Sequence, residues 1–199
     1  MKKLTSIFIL LLSLTMITGC SSDKGTYNQE YNSKNINNIE ITSEVNDIEF
    51  KTSDNDSIKV SLDNCDSNIS SLDNDTLKIN DSNVPSGVNL KTSKTLCIYL
   101  PKKSYKSITV NSTSGAVSLS SVNSSSLKIN SEYGNISVSD IDGTLSATAA
   151  LGTIDTSLPI KSDIKIDPTT TKQTLQTSLG NNSNKTIILT TNSGTITIK

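Results

Sequence analysis

Apolar residues along this chain come in short alternating pairs, and the pairs recur in a fixed frame. Ile108-x-Val110 is followed by Gly115 and then by Val117-x-Leu119. Leu127-x-Ile129, Gly134 and Ile136-x-Val138 repeat the frame, and Leu145-x-Ala147, Gly152 and Ile154-x-Thr156 repeat it again. The glycines are 19 and then 18 positions apart. Ile187-x-Leu189, Gly194 and Ile196-x-Ile198 form a last copy, while Ile164-x-Ile166 and Leu175-x-Thr177 fit the frame with a longer turn holding Pro168. In the N-terminal half, Ile39-x-Ile41, Asn46 and Ile48-x-Phe50 match it with Asn in the glycine slot. Ile58, Leu77 and Leu96 then follow at steps of 19.

Alternation of this kind predicts short strands with one buried and one wet face. The glycine slot predicts a left-handed bend between the two strands of a unit, for which Asn is the next best residue. A lone unit buries too few aliphatics to offset the entropy of ordering its residues, so units must stack. The expected fold is all-β: a parallel β-solenoid, a β-helix-like stack of coils of about 19 residues, spanning 39–199. The competing architecture is a β-sandwich, which also uses short strands at near-regular spacing.

The first residues read differently. Met1-Lys2-Lys3 precedes an apolar run through Ile7–Leu14, too short to cross a bilayer comfortably as a helix. The run ends in Ile17-Thr18-Gly19-Cys20, an aliphatic residue, two small ones and a cysteine. It resembles the lipobox of bacterial lipoproteins. That resemblance implies a signal peptide over 1–19, cleavage before Cys20, and lipid on the Cys20 thiol. Two acyl chains would hold the chain stably to a membrane where one is marginal. Residues 20–38 then read as the lipidated cysteine and a flexible tether, with Tyr27 and Tyr31 inside it.

Composition narrows the functional classes. Hydrophobic residues are 33% and aromatics 4%, a mix that would suggest disorder if the apolar positions were not so regularly spaced. Formal net charge is −1, which becomes −3 once Lys2 and Lys3 leave with the signal. All the positive charge is lysine. Without arginine forks or a basic run, nucleic acid is not an expected partner. Cys65 and Cys97 remain after Cys20 is lipidated; outside the cytoplasm they would either form a disulfide or stand as two free thiols.

Tyr99-Leu100-Pro101, the run Ile108-Thr-Val-Asn-Ser-Thr-Ser-Gly115-Ala-Val117 and the run Ile129-Asn-Ser-Glu-Tyr-Gly134-Asn-Ile136-Ser-Val138 together resemble the DUF4097 family. Its members carry an adhesin label and form β-solenoids. The resemblance covers roughly 36–199 and implies a surface or envelope protein. It carries no catalytic residues across.

Catalytic chemistry is sparse. The chain has no His, so no Ser-His-Asp or Cys-His pair and no His metal site can form. Arginine, the base that the resemblance to pectate-lyase-like helices would call for, is also absent. Acidic pairs at Asp54/Asp56, Asp63/Asp66 and Asp73/Asp75 would hold Ca²⁺ only if stacking lined them along one edge; as turn residues they need no metal. Tyr99, Tyr105 and Tyr133 read as half-exposed residues on or beside strands. No cofactor or resident metal is expected. The leading expectation is a non-enzymatic lipoprotein on the extracytoplasmic face of the cell membrane. It would display its solenoid to an envelope protein or polymer for adhesion, binding or scaffolding. The alternatives are an envelope-stress or signalling accessory, and a polysaccharide-acting enzyme using acidic residues.

Overall fold

The computed structural model describes residues 25–65, 67–82, 94–158, 173–179 and 182–199. Cys20, the signal region, Asp66 and the Ile164-x-Ile166 segment lie outside the described residues. The described chain forms fourteen strands and one short 3₁₀ turn, Ser33–Asn35, with no α-helix. The strands are β1 (Tyr27–Asn32), β2 (Asn38–Ser43), β3 (Asp47–Ser53), β4 (Ser57–Leu62), β5 (Ser70–Asp73), β6 (Thr76–Asn80) and β7 (Thr95–Pro101). They continue as β8 (Tyr105–Ser112), β9 (Val117–Ser131), β10 (Ile136–Ala149), β11 (Ile154–Ser157), β12 (Gln173–Leu179), β13 (Asn182–Thr191) and β14 (Ile196–Ile198).

Hydrogen bonds join all of them into one sheet, which runs as two stacks bridged by the long strands β9 and β10. One stack is β5-β6-β2-β8, then the C-terminal halves of β9 and β10, then β13-β12. The other is β1-β4-β7-β3, then the N-terminal halves of β9 and β10, then β11-β14. The expected solenoid is present, and its register is the sequence frame. Ile39, Ile108, Leu127, Leu145 and Ile187 lie side by side across five strands. Ile48, Val117, Ile136, Ile154 and Ile196 do the same in the second stack. These rows are buried and meet in one hydrophobic core. Each fully buried aliphatic contributes about 1.5–3 kcal/mol, so the rows are the main cohesive term.

Three expectations need correction. First, the steps of 19 through Ile58, Leu77 and Leu96 are not three successive coils. Leu77 sits opposite Ile39 and Leu96 opposite Ile48. The β6–β7 coil therefore lies on the side of the β2–β3 coil away from β8, and the chain doubles back before building onward. Second, the stack is parallel only in its middle. β5 runs antiparallel to β6, β4 to both β1 and β7, and β12 to β13. Leu175-x-Thr177 is thus part of a hairpin against β13 and not a coil. These strands cover the coil ends, which a stack of open ladders requires. Third, the expected tether is partly folded. Tyr27–Asn32 is a strand, Ile36 is buried, and the Tyr27 and Tyr31 hydroxyls both reach Ser70 Oγ, at 2.6 and 2.8 Å.

The glycine slot also works differently from the expected left-handed bend. Gly143 is the one glycine with positive φ among the described residues, and it is not in a slot. The slot glycines are required because stacked turns approach too closely for a side chain. A Cβ on Gly115 would lie 1.8 Å from the Asn46 carbonyl oxygen, and one on Gly134 would lie 2.1 Å from that of Gly115. Gly152 and Gly194 continue the ladder, each meeting the previous glycine's oxygen at 2.2 Å. Buried hydroxyls lock the same corner. Ser112 and Ser131 donate to the carbonyls of Gly115 and Gly134 at 2.8 Å. Ala149 holds the equivalent place before Gly152 and has no hydroxyl, so Thr191 from the next coil donates to the Gly152 carbonyl instead, at 3.0 Å. Besides Asn64 and Asn74 in the turns after β4 and β5, the left-handed non-glycine residues among the described ones sit in the opposite corner, where Ser121 (φ 59°) and Asp140 (φ 46°) turn β9 and β10 from one stack into the other.

Gly134→Ala is therefore expected to destabilise the protein by about 3 kcal/mol or more, because the obstacle is backbone that cannot move aside. Ser114→Ala, one turn position away and exposed, should change stability by less than about 0.5 kcal/mol. Urea denaturation of both variants checks this; equal midpoints would mean the coils can spread apart.

Candidate binding surface

The residues singled out in the sequence do not converge on one site. Cys65 and Cys97 are both free here, the second of the two alternatives their spacing left open. Strand alternation separates them. Cys97 lies between the inward residues Leu96 and Ile98 and so faces outward, 3.9 Å from Glu49 Oε2, whereas Cys65 is buried and donates to the Ser67 carbonyl at 3.5 Å. The acidic residues fall in separate turns. Asp54 and Asp56 lie between β3 and β4, Asp63 follows β4, and Asp73 and Asp75 join β5 to β6. Asp73 is paired with Lys78 at 2.7 Å. Asp75 accepts from Asn37 Nδ2 at 3.2 Å, and that bond holds its carboxyl below the usual range. Among the described residues, no three His, Cys, Asp or Glu gather as metal ligands.

The wet face of the first stack is more informative. Its outward residues stand in register as Asn80, Thr42, Asn111, Asn130, Thr148, Thr190 and Thr174. Every member is an amide or a hydroxyl. Asn130 Nδ2 donates to Asn111 Oδ1 at 2.9 Å, so neighbours in the row orient one another. Beside the row runs a shallow trough of about 290 Å³, bounded by Thr42, Asn111, Asn130, Thr113, Glu132 and Ala150.

Beyond the trough, the glycine corner carries a second register. Backbone bonds from Tyr133 N to Thr113 O and from Leu151 N to Glu132 O, 2.8 and 2.9 Å, stack the turns directly. Ser114 N donates likewise to Glu44 O. Val45, Ser114, Tyr133, Leu151 and Ser193 therefore occupy one repeated position. Three of the four large exposed apolar residues among the described residues are at this position: Val45, Tyr133 and Leu151 at 40%, 54% and 55% exposure. The Tyr133 hydroxyl is hydrogen-bonded to Glu132, and this bond pushes its pKa up.

The opposite corner has a groove of about 360 Å³ between the link after β7 and the bends of β9 and β10. Its carboxylates and Lys103 are already engaged. Ser121 Oγ donates to Asp140 Oδ2 at 2.7 Å, Asp142 pairs with Lys185, and Lys103 Nζ donates to the Ser33 and Ile36 carbonyls at 2.5 and 2.7 Å. Tyr105 in its wall is fully buried, not half-exposed as expected, and its hydroxyl has no hydrogen-bond partner among the described residues. Tyr99 does sit half-exposed on β7, with Lys51 and Lys59 Nζ 5.8 and 5.7 Å from its ring centre.

Asp81, just past β6, was not singled out in the sequence. It is 2% exposed, and its Oδ2 accepts from Asn46 Nδ2 at 2.9 Å and Ser43 Oγ at 3.0 Å. It fills the place beneath Asn46, where the glycine ladder begins, and so lets a residue with a side chain occupy that first slot. Its other oxygen has no partner among the described residues, and burial raises its pKa above the usual carboxylate value.

Two stacks of short strands with in-register aliphatic rows define a β-solenoid-like domain. Residues 36–161 match the family described as Toastrack DUF4097, and the chain belongs to that family. It is also similar to a Bacteroides fragilis protein of known crystal structure, described as a "putative adhesin". The identity is 12%, the coverage 88% of this chain and 98% of that one, and the TM-score 0.25. No curated protein matches the sequence.

Two stability measurements follow. Tyr105→Phe removes a buried hydroxyl that gains no bond on folding, so it should be neutral or stabilising by about 1 kcal/mol; a loss of that size would reveal a partner. For Asp81, the folded state favours the protonated carboxyl. Its contribution is complete below the unfolded-state pKa and is lost as pH rises through the higher folded-state value. Asp81→Asn should therefore flatten stability as pH rises above the ordinary carboxylate range. Asp81→Ala, which strands the Asn46 and Ser43 donors, should cost about 2 kcal/mol. Denaturation midpoints across that pH range test both, and an Asp81→Asn profile parallel to the parent's would sink the assignment.

Proposed function

We propose that this protein is a lipoprotein, held by lipid on Cys20 at the outer surface of the cell membrane, that displays its Toastrack solenoid as a non-catalytic binding surface. The observation that carries the binding role is the outward row from Asn80 to Thr174. Two positions earlier on the same face, the register carries charge at Lys78, Glu40 and Lys128. Across these seven aligned positions none is charged, and each presents a hydroxyl or an amide. Such a strip suits an extended polar partner better than it suits solubility alone. The anchor reading rests on Ile17-Thr18-Gly19-Cys20 after a short apolar run. No helix among the described residues is long and apolar enough to cross a membrane.

A hydrolytic role is less well supported. It needs two carboxyl groups across one cleft. The trough has Glu132 in its wall, and the carboxylates of the opposite groove are tied to Ser121 and Lys185.

Metabolic labelling with an alkyne fatty acid tests the anchor. The full chain should take up label and fractionate with membranes, and Cys20→Ala should lose both. Label retained by Cys20→Ala would overturn the lipid assignment. Retention of the purified protein on whole cell envelopes tests the display role, and no retention under any ionic condition counts against it.

A further inference from the structure

We infer that the glycine-corner ledge, from the Asn/Thr row across the trough to the line of Val45, Tyr133 and Leu151, binds a linear amino-sugar polymer. This rests on the surface-binding reading and names its ligand class. A pyranose ring has an apolar C–H face, a rim of hydroxyls and, in an amino sugar, a nitrogen donor or cation. The ledge offers a counterpart to each in parallel lines.

Tyr133 and Leu151 stand on adjacent stacked turns, with Val45 two turns before Tyr133 across Ser114, and Tyr133 supplies a flat aromatic face. Folding does not explain them, since among the described residues they and Leu72 are the exposed large apolar side chains. Across the trough, Thr42, Asn111 and Asn130 supply hydroxyl and amide groups, with the amides already oriented by their mutual bond. Between the two lines lie the turn positions Glu44, Thr113, Glu132, Ala150 and Asn192. Two carboxylates and no lysine occupy them, although the chain as a whole carries nearly equal numbers of basic and acidic residues. The ledge is therefore complementary to a cation or N–H donor and repels an anionic polymer. Its positions repeat at the strand spacing of roughly 4.8 Å, about the length of one sugar ring, so a linear chain laid along the stack meets one set of turn residues at each coil. Individually weak contacts then add along the chain.

The probes are hexamers of glucosamine and of N-acetylglucosamine, with hyaluronan as the anionic control, titrated calorimetrically against the purified protein. Binding of a hexamer is expected, stronger for glucosamine and weakened by salt, with hyaluronan excluded. Tyr133→Ala and Glu132→Gln, both at exposed turn positions, should each weaken it about tenfold or more. Leu72→Ser, on β5 and outside the ledge, should leave it unchanged. Absence of binding by both hexamers overturns the inference, as does binding that Tyr133→Ala and Glu132→Gln leave untouched, or equal binding of hyaluronan. Whole-envelope retention separates the two levels. If Tyr133→Ala abolishes retention while neither hexamer binds, the amino-sugar ligand falls and the surface-binding reading stands. If retention occurs but no ledge variant alters it, the ledge falls as the binding surface.

Discussion

Everything in this fold hangs on how closely one turn can lie on the next. Parallel strands stack at the hydrogen-bonding distance of roughly 4.8 Å, and a turn that follows the stack must keep that spacing. At the glycine corner the spacing leaves no room for a Cβ, because each slot glycine faces the carbonyl oxygen of the slot before it. Once that contact is made, the register of both flanking strands is set, since a slip of one residue would turn the aliphatics outward. The buried hydroxyls of Ser112, Ser131 and Thr191 fix the carbonyls that the glycines rest upon. Core, turn and ladder are thus one constraint seen from three sides.

The same constraint shapes the surface. A turn pinned at its glycine projects the preceding residues outward in a line, coil after coil, whatever those residues are. The core does not choose Val45, Tyr133 or Leu151, nor the row of Asn and Thr beside them. Their identity is free to answer to something outside the molecule, which is why exposed apolar groups at one repeated position, next to an uncharged polar strip, carry more weight here than they would on an irregular surface.

The repeating frame was legible because strand alternation and the glycine slot are both local. Ile108, Leu127 and Leu145 stand side by side as their spacing implies. Stacking order was not legible, because Ile39 pairs with Leu77 on one side and with Ile108 on the other and nothing nearby in the sequence distinguishes the two. The left-handed corner was misplaced for a related reason. Glycine marks both positive φ and close approach, and here approach was the cause, while Ser121 and Asp140 took the strained conformation without a glycine to advertise it. Position three before the slot held an unread signal: the recurrent Ser or Thr whose hydroxyl closes the turn. The apolar line was equally invisible as a surface, since Val45, Tyr133 and Leu151 look like isolated exposed residues until the turns are stacked.

Asp81 shows how the ladder ends. The first slot holds Asn46 where the later slots hold glycine. Its side-chain amide needs an acceptor, and Asp81, arriving from the coil that doubles back, supplies one. The doubling back is therefore more than a detour of the chain. It places a coil under the first one, closes the polar end of the ladder with a buried carboxylate, and leaves β1 and β4 to cover the adjoining edge of the second stack. The cost is a carboxyl with one oxygen unpartnered among the described residues, and the benefit is a first turn tied to the coil beneath it by the bonds from Asn46 and Ser43.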